Sequence, residues 1–123
     1  MLNLAIVVGT LTKPTQVRAL PSGLSLACFD LQVVRDDQAM DTVPVAFFDA
    51  PAEVAEWRAS QELLAVGRVR RRFFRIGGVT QSRTELVAER VVPFSAQDRV
   101  VGVLSTAGAA IARLLDEIGA RAR

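Results

Sequence analysis

Strand-like patterns fill the first two thirds of the chain. Leu4–Leu11 is apolar and β-branched, Leu24–Val34 sets Cys28 and Leu31 among small or polar positions, and Thr42–Phe48 carries Val43, Val45, Phe47 and Phe48. Turn chemistry separates them at Lys13-Pro14-Thr15, Pro21-Ser22-Gly23 and Arg35-Asp36-Asp37-Gln38. Two further runs, Glu62–Phe74 and Ser82–Val92, flank Ile76-Gly77-Gly78-Val79, whose glycine pair suits a hairpin.

One segment inside this pattern reads as a helix. Residues 50–59 follow Asp49, a good cap, place Pro51 in the first turn where a missing N–H matters little, and space Val54 and Trp57 by three. Trp57 is expected to anchor a core or an interface. Strand, strand, strand, helix, strand, strand is the order of an all-β, five-stranded Greek-key barrel of the OB type, with the helix plugging one end. Beyond it, Ile111, Leu114, Leu115 and Ile118 fall on one face of a short C-terminal helix limited by Gly108 and Gly119. The expected division is a barrel domain over 1–95 and a helical extension over 96–123.

Composition narrows the chemistry. The chain has 123 residues, half of them apolar, with one cysteine and no histidine. A chain of this size buries roughly two thirds of its unfolded surface, enough for one core without disulfides or metal. Zinc sites draw on Cys and His, and acid/base work near neutral pH leans on His, so no catalytic role, metal or cofactor is expected. Asp36, Asp37, Asp41 and Asp49 read as solvated turn residues, not a metal site. Cys28, in a strand, is expected to be a small core residue. With no signal-like segment and no membrane-length apolar run, a cytoplasmic protein is expected.

The net charge of +2 predicts little, but its distribution predicts more. Residues 1–62 carry −4, residues 63–99 carry +5 and residues 100–123 carry +1; fourteen of the fifteen basic residues are Arg. Arg suits phosphate forks and ring stacking, although a G+C-rich genome would produce the same excess. In Gly67–Arg75, strand alternation puts Arg68, Arg70, Arg72 and Phe74 on one face and Val69, Arg71, Phe73 and Arg75 on the other. Guanidinium groups about 6–7 Å apart match phosphate spacing, and a neighbouring ring offers a base a platform. The same pattern fits a solvated edge strand whose charge discourages aggregation. Opposite parity sends one of Phe47 and Phe48 inward and the other outward; an outward Phe48 would be a second platform.

Asn3–Arg18, then Pro21-Ser22-Gly23 and the strand Leu26–Val34, resemble the opening of the bacterial single-stranded DNA-binding proteins. Val45-Ala46-Phe47-Phe48 followed by Ala52-Glu53-Val54-Ala55, and then Glu62–Arg70, resemble that family's later strands and helix, so the likeness spans about residues 3–93. It implies an OB-fold that assembles as a homotetramer, with a dimer as the alternative, and binds single-stranded DNA without sequence preference in replication, recombination or repair. It places Phe48 on a stacking aromatic, and Phe74, Arg70 and Arg72 on the strand that contacts DNA. Arg68, Arg75, Arg18, Lys13, Arg35 and Arg83 complete the expected electrostatic groove.

Departures from the family pattern are also visible. Thr42-Val43-Pro44 lacks a customary ring, none stands near Arg35-Asp36-Asp37, and the loops 36–41 and 76–82 look short. The last residues given, Gly119-Ala120-Arg121-Ala122-Arg123, do not resemble the family's acidic, Phe-terminated tail, and such a tail is not expected. The expectation is therefore a nucleoid-associated paralogue that does not recruit repair enzymes through such a tail. The alternative is an OB-fold oligomeric interaction subunit with weak or no DNA binding, which the missing rings and the acidic first half favour.

Overall fold

The apolar runs of the sequence become strands that wrap around one interior. The computed structural model describes residues 1–122. It orders them as β1 (Ala5–Leu11), β2 (Gln16–Ala19), β3 (Ser25–Val34), β4 (Met40–Phe48), a single 3-10 helix (Ala52–Glu56), β5 (Glu62–Ile76), β6 (Val79–Pro93) and α1 (Gln97–Arg121). Pairing runs β1-β5-β6-β4-β3-β2, and β1 also pairs with β3 through Thr10↔Gln32 and Leu11↔Leu31. Strands β1, β5, β6, β4 and β3 thus form a closed ring, and β2 lies outside it on β3. Closure satisfies backbone donors that an open sheet would leave unpaired.

Strand parity decides what fills the ring. Ala27, Phe29 and Leu31 of β3, Val45 and Phe47 of β4, Leu63 and Ala65 of β5 and Leu86 and Ala88 of β6 form one buried cluster with Val54 and Trp57. Each fully buried Leu or Phe contributes about 1.5–3 kcal/mol relative to exposure. The opposite faces of β5 and β6 supply Leu64, Val66 and Val92 to a second cluster, which Val100, Val103 and Ala107 of α1 cover.

The structure departs from the sequence-based expectations at several elements. The segment 50–59 forms no α-helix: only Ala52–Glu56 turns, as a 3-10 helix, between extended Pro51 and extended Trp57. Trp57 leaves the turn to stand edge-on to Phe29, ring centroids 6.1 Å apart, and burying that ring outweighs continuing a short helix. The C-terminal helix is far longer than the Ile111–Ile118 face, running through Gly102, Gly108 and Gly119; its start is set by packing on β5 and β6 and not by propensity. Strand β2 forms where the sequence pattern shows only a turn and its margin; all four of its residues are exposed, so its apolar pattern carries no signal and the β3 edge supplies its pairing. Strands β5 and β6 extend through the expected 76–82 loop, leaving Gly77 and Gly78 as a two-residue turn. Both have positive φ, +57° and +79°, which glycine adopts without strain and which matches the strand twist. Cys28 points away from the core cluster that its neighbours Ala27 and Phe29 enter.

The β5–β6 hairpin is what positions the charged segment. A bulge at Val66/Gly67 shifts the register, and a Cβ on Gly67 would strike the Val87 carbonyl oxygen, so the strands meet closely there. β4 pairs with β6 only at Val45↔Leu86 and Ala46↔Val87. Towards the turn from that point, the hairpin strands pair only with each other.

Candidate nucleic-acid interface

Register fixes which charged side chains become neighbours. With Gly77 and Gly78 as the turn, Arg70 lies opposite Glu85, Arg72 opposite Arg83 and Phe74 opposite Gln81. Opposite residues share a sheet face, and the side chains two apart along each strand join them. Arg68, exposed and opposite Val87, has the same parity. The adjoining strand β4 ends on Phe48, whose neighbour Phe47 is buried in the core. The outer face therefore runs from Phe48 across Arg70, Glu85 and Arg72 to Phe74.

Both rings on this face are half-buried, and each has a guanidinium over it. The Arg70 Cζ lies 5.5 Å from the Phe48 centroid and the Arg72 Cζ lies 5.1 Å from that of Phe74. Such contacts contribute about 0.5–1 kcal/mol where water reaches them. Glu85 ties the two arginines together. Its Oε1 accepts a hydrogen bond from Arg70 Nη2 at 2.7 Å and from Arg72 Nε at 3.2 Å. Glu85 is only 7% exposed, the one buried charged residue among those described. A carboxylate so removed from water is tolerated only with charged donors of this kind. Arg70 Nε is enclosed and has no hydrogen-bond partner.

Beside this row lies a groove of about 640 Å³ between the β1–β2 connection, β2, β3 and the hairpin. Lys13, Arg18, Arg72 and Arg83 line it, against Asp30 and Glu85. Four cations against two acids give a positive floor suited to phosphate oxygens. Arg83 Nη2 stands 3.4 Å from Asp30 Oδ1, both half-exposed, a pairing that water screens and that an anion can displace. Cys28 lines the same groove.

The remaining expected residues fall elsewhere. Arg75 occupies the opposite hairpin face and donates to the Gly78 carbonyl at 2.7 Å. That face carries its own ring and cation, Arg71 over exposed Phe73 at 5.4 Å. Arg35 sits at the β3–β4 connection, 3.3 Å from Asp37 and 3.7 Å from Asp41, and does not line the groove. Reasoning from the sequence missed Glu85 and Asp30, the two carboxylates that partner the arginines. The signal for Glu85 lay in counting outward from Gly77-Gly78, which sets it opposite Arg70.

Among the described residues, no three His, Cys, Asp or Glu side chains gather as a metal site, and no helix is long and apolar enough to cross a membrane. No protein-family model and no curated protein matches the chain.

Proposed function

We propose that this protein binds single-stranded DNA without sequence preference, through an OB-type barrel related to the bacterial single-stranded DNA-binding proteins. The observation that carries the reading is the row Phe48, Arg70, Arg72 and Phe74, two half-buried rings interleaved with cations on one outer face, beside a groove holding Lys13, Arg18 and Arg83. Rings accept any base by stacking, and cations follow the backbone, so this pairing of chemistries favours strands over duplexes and disregards sequence. The closed five-strand ring supports the OB-type assignment, with the 3-10 helix Ala52–Glu56 and Trp57 in the place of the plugging helix. Assembly as a homotetramer belongs to the same proposal, as does a role in replication, recombination or repair in the cytoplasm.

Fluorescence anisotropy of labelled oligo-dT at low and high salt, with duplex as competitor, tests the reading. Affinity is expected to fall with salt at a log–log slope of about −0.7 per phosphate neutralised. Retention of oligo-dT that duplex removes equally well would reject strand selectivity. The second reading, an oligomeric interaction subunit without DNA binding, draws support from Leu104, Ile111, Leu115 and Ile118, which stand exposed on α1. It predicts a stable oligomer that fails to retain oligo-dT even at low salt.

A further inference from the structure

In the arrangement described above, the groups that would meet a DNA strand already hold one another. Arg70 and Arg72 occupy faces of Phe48 and Phe74, and both guanidinium groups share a single oxygen of Glu85. We infer that Glu85 sets the ligand class of this face, reserving it for strands with free bases and refusing bare polyanions; this rests on the single-strand reading above.

Binding at this face is an exchange of anions. A phosphate that takes the inner N–H groups of Arg70 and Arg72 must replace the Glu85 carboxylate, which is then left buried without partners. A ligand that offers only phosphates substitutes one anion for another and incurs that penalty with no return. A strand with unstacked bases offers more, because moving each guanidinium aside uncovers a ring on which a base can stack. The same movement gives Arg70 Nε, enclosed and unpartnered beside Glu85, access to an acceptor. A duplex, with its bases already stacked, gains as little as a bare phosphate chain. Positive charge alone would predict the reverse, a face that welcomes every polyanion.

The test compares wild type, E85Q, E85D and E89Q on two labelled probes of equal length, oligo-dT and an abasic oligomer with the same phosphodiester backbone. Circular-dichroism melts establish that each variant is folded. Glu89 is exposed on the same strand, so E89Q removes the same charge without freeing the arginines. E85Q is expected to bind the abasic oligomer about tenfold more tightly than E89Q does, the scale of one charge-assisted bond removed. Its preference for oligo-dT over the abasic probe is expected to shrink accordingly. E85D keeps the charge but is one methylene too short to hold both arginines, and is expected to shift in the same direction; it carries the comparison if E85Q does not fold. Equal abasic binding by E85Q and E89Q, or by E85D and wild type, overturns the inference. So does weaker binding of both probes by E85Q, which would make Glu85 an organiser of the bound state. Wild type that ignores oligo-dT rejects the single-strand reading by itself, while a gain by E85Q over E89Q would still show that Glu85 withholds the arginines.

Discussion

In the barrel half of the β5–β6 hairpin, Leu63, Leu64 and Ala65 are fully buried against β1, β6 and α1; eight residues further along β5, Phe73 is 65% exposed. Both stretches belong to one antiparallel pair of strands, interrupted only by the register shift at Val66/Gly67. What changes beyond the Gly67 bulge is the surroundings: other strands and a helix cover the first half, whereas past Leu86 the second half pairs with no strand but its own partner and meets β3 and β4 only through side chains such as Arg83 on Asp30 and Arg70 on Phe48. Apolar side chains hold the first half in place, while in the second half cations over rings and one buried carboxylate order the side chains. One pair of strands thereby separates stability from binding along its length.

The sharpest way to break that separation is a cavity in the barrel half. L63A removes a fully buried side chain from the main cluster and is expected to destabilise by about 2–5 kcal/mol, read by thermal or denaturant unfolding. At temperatures where the variant stays folded, oligo-dT affinity should stay at the wild-type level. The converse variants are F48A and F74A, each expected to weaken oligo-dT binding by about 1–3 kcal/mol while lowering Tm much less than L63A. A large fall in Tm with unchanged binding would place those rings with the core instead.

The double variant R70A/R72A sharpens the comparison further. Two cations leave the face, so the salt slope for oligo-dT should become shallower by about 1.4, at 0.7 for each phosphate that is no longer neutralised. Because Glu85 is deprived of both partners and stays buried, this variant is also expected to melt below F48A or F74A. Binding and stability are therefore coupled at this one carboxylate, three residue pairs beyond the Gly67 bulge.

The parts of this design that sequence reasoning could read were those written in short-range pattern. The Phe47/Phe48 parity, the two faces of Arg68–Arg75 and the hairpin at Gly77-Gly78 follow from a period of two and from turn chemistry. The parts it missed depend on residues distant in sequence. Strand β2 has no buried position and exists because β3 has a free edge; Trp57 abandons the helix to reach Phe29; α1 begins well before its Ile111–Ile118 face because Val100, Val103 and Ala107 pack on β5 and β6. Cys28 belongs to an alternating strand whose inward parity is taken by Ala27, Phe29 and Leu31, a choice of face that alternation alone leaves open. Glu85 looks in isolation like any acidic residue of an exposed strand, and gains its meaning only when paired with Arg70.

The smallest effect concerns how α1 is held to the barrel. Arg99, in its first turn, meets Glu53 of the 3-10 helix through a forked contact, Nη2 to Oε1 at 2.5 Å and Nη1 to Oε2 at 3.2 Å. Hydrogen bonding from Arg99 is the main cause that lowers the Glu53 pKa below its ordinary value, against an opposing desolvation. A carboxylate lowered by folding contributes stability that is fully present above its unfolded pKa and is lost as pH falls through the folded one. Both side chains are more than a third exposed, so water screens the pair and its contribution is about 0.2–1 kcal/mol. E53Q should therefore melt slightly below wild type at pH 7, and the gap should close below about pH 4 as the wild-type carboxylate protonates. The row at Phe48, Arg70, Arg72 and Phe74 takes no part in this pairing, so oligo-dT affinity at pH 7 is expected to change far less in E53Q than in R70A/R72A. A pH-independent gap would mean that Glu53 acts through packing of the 3-10 helix, with the charge of the pair irrelevant to how α1 docks.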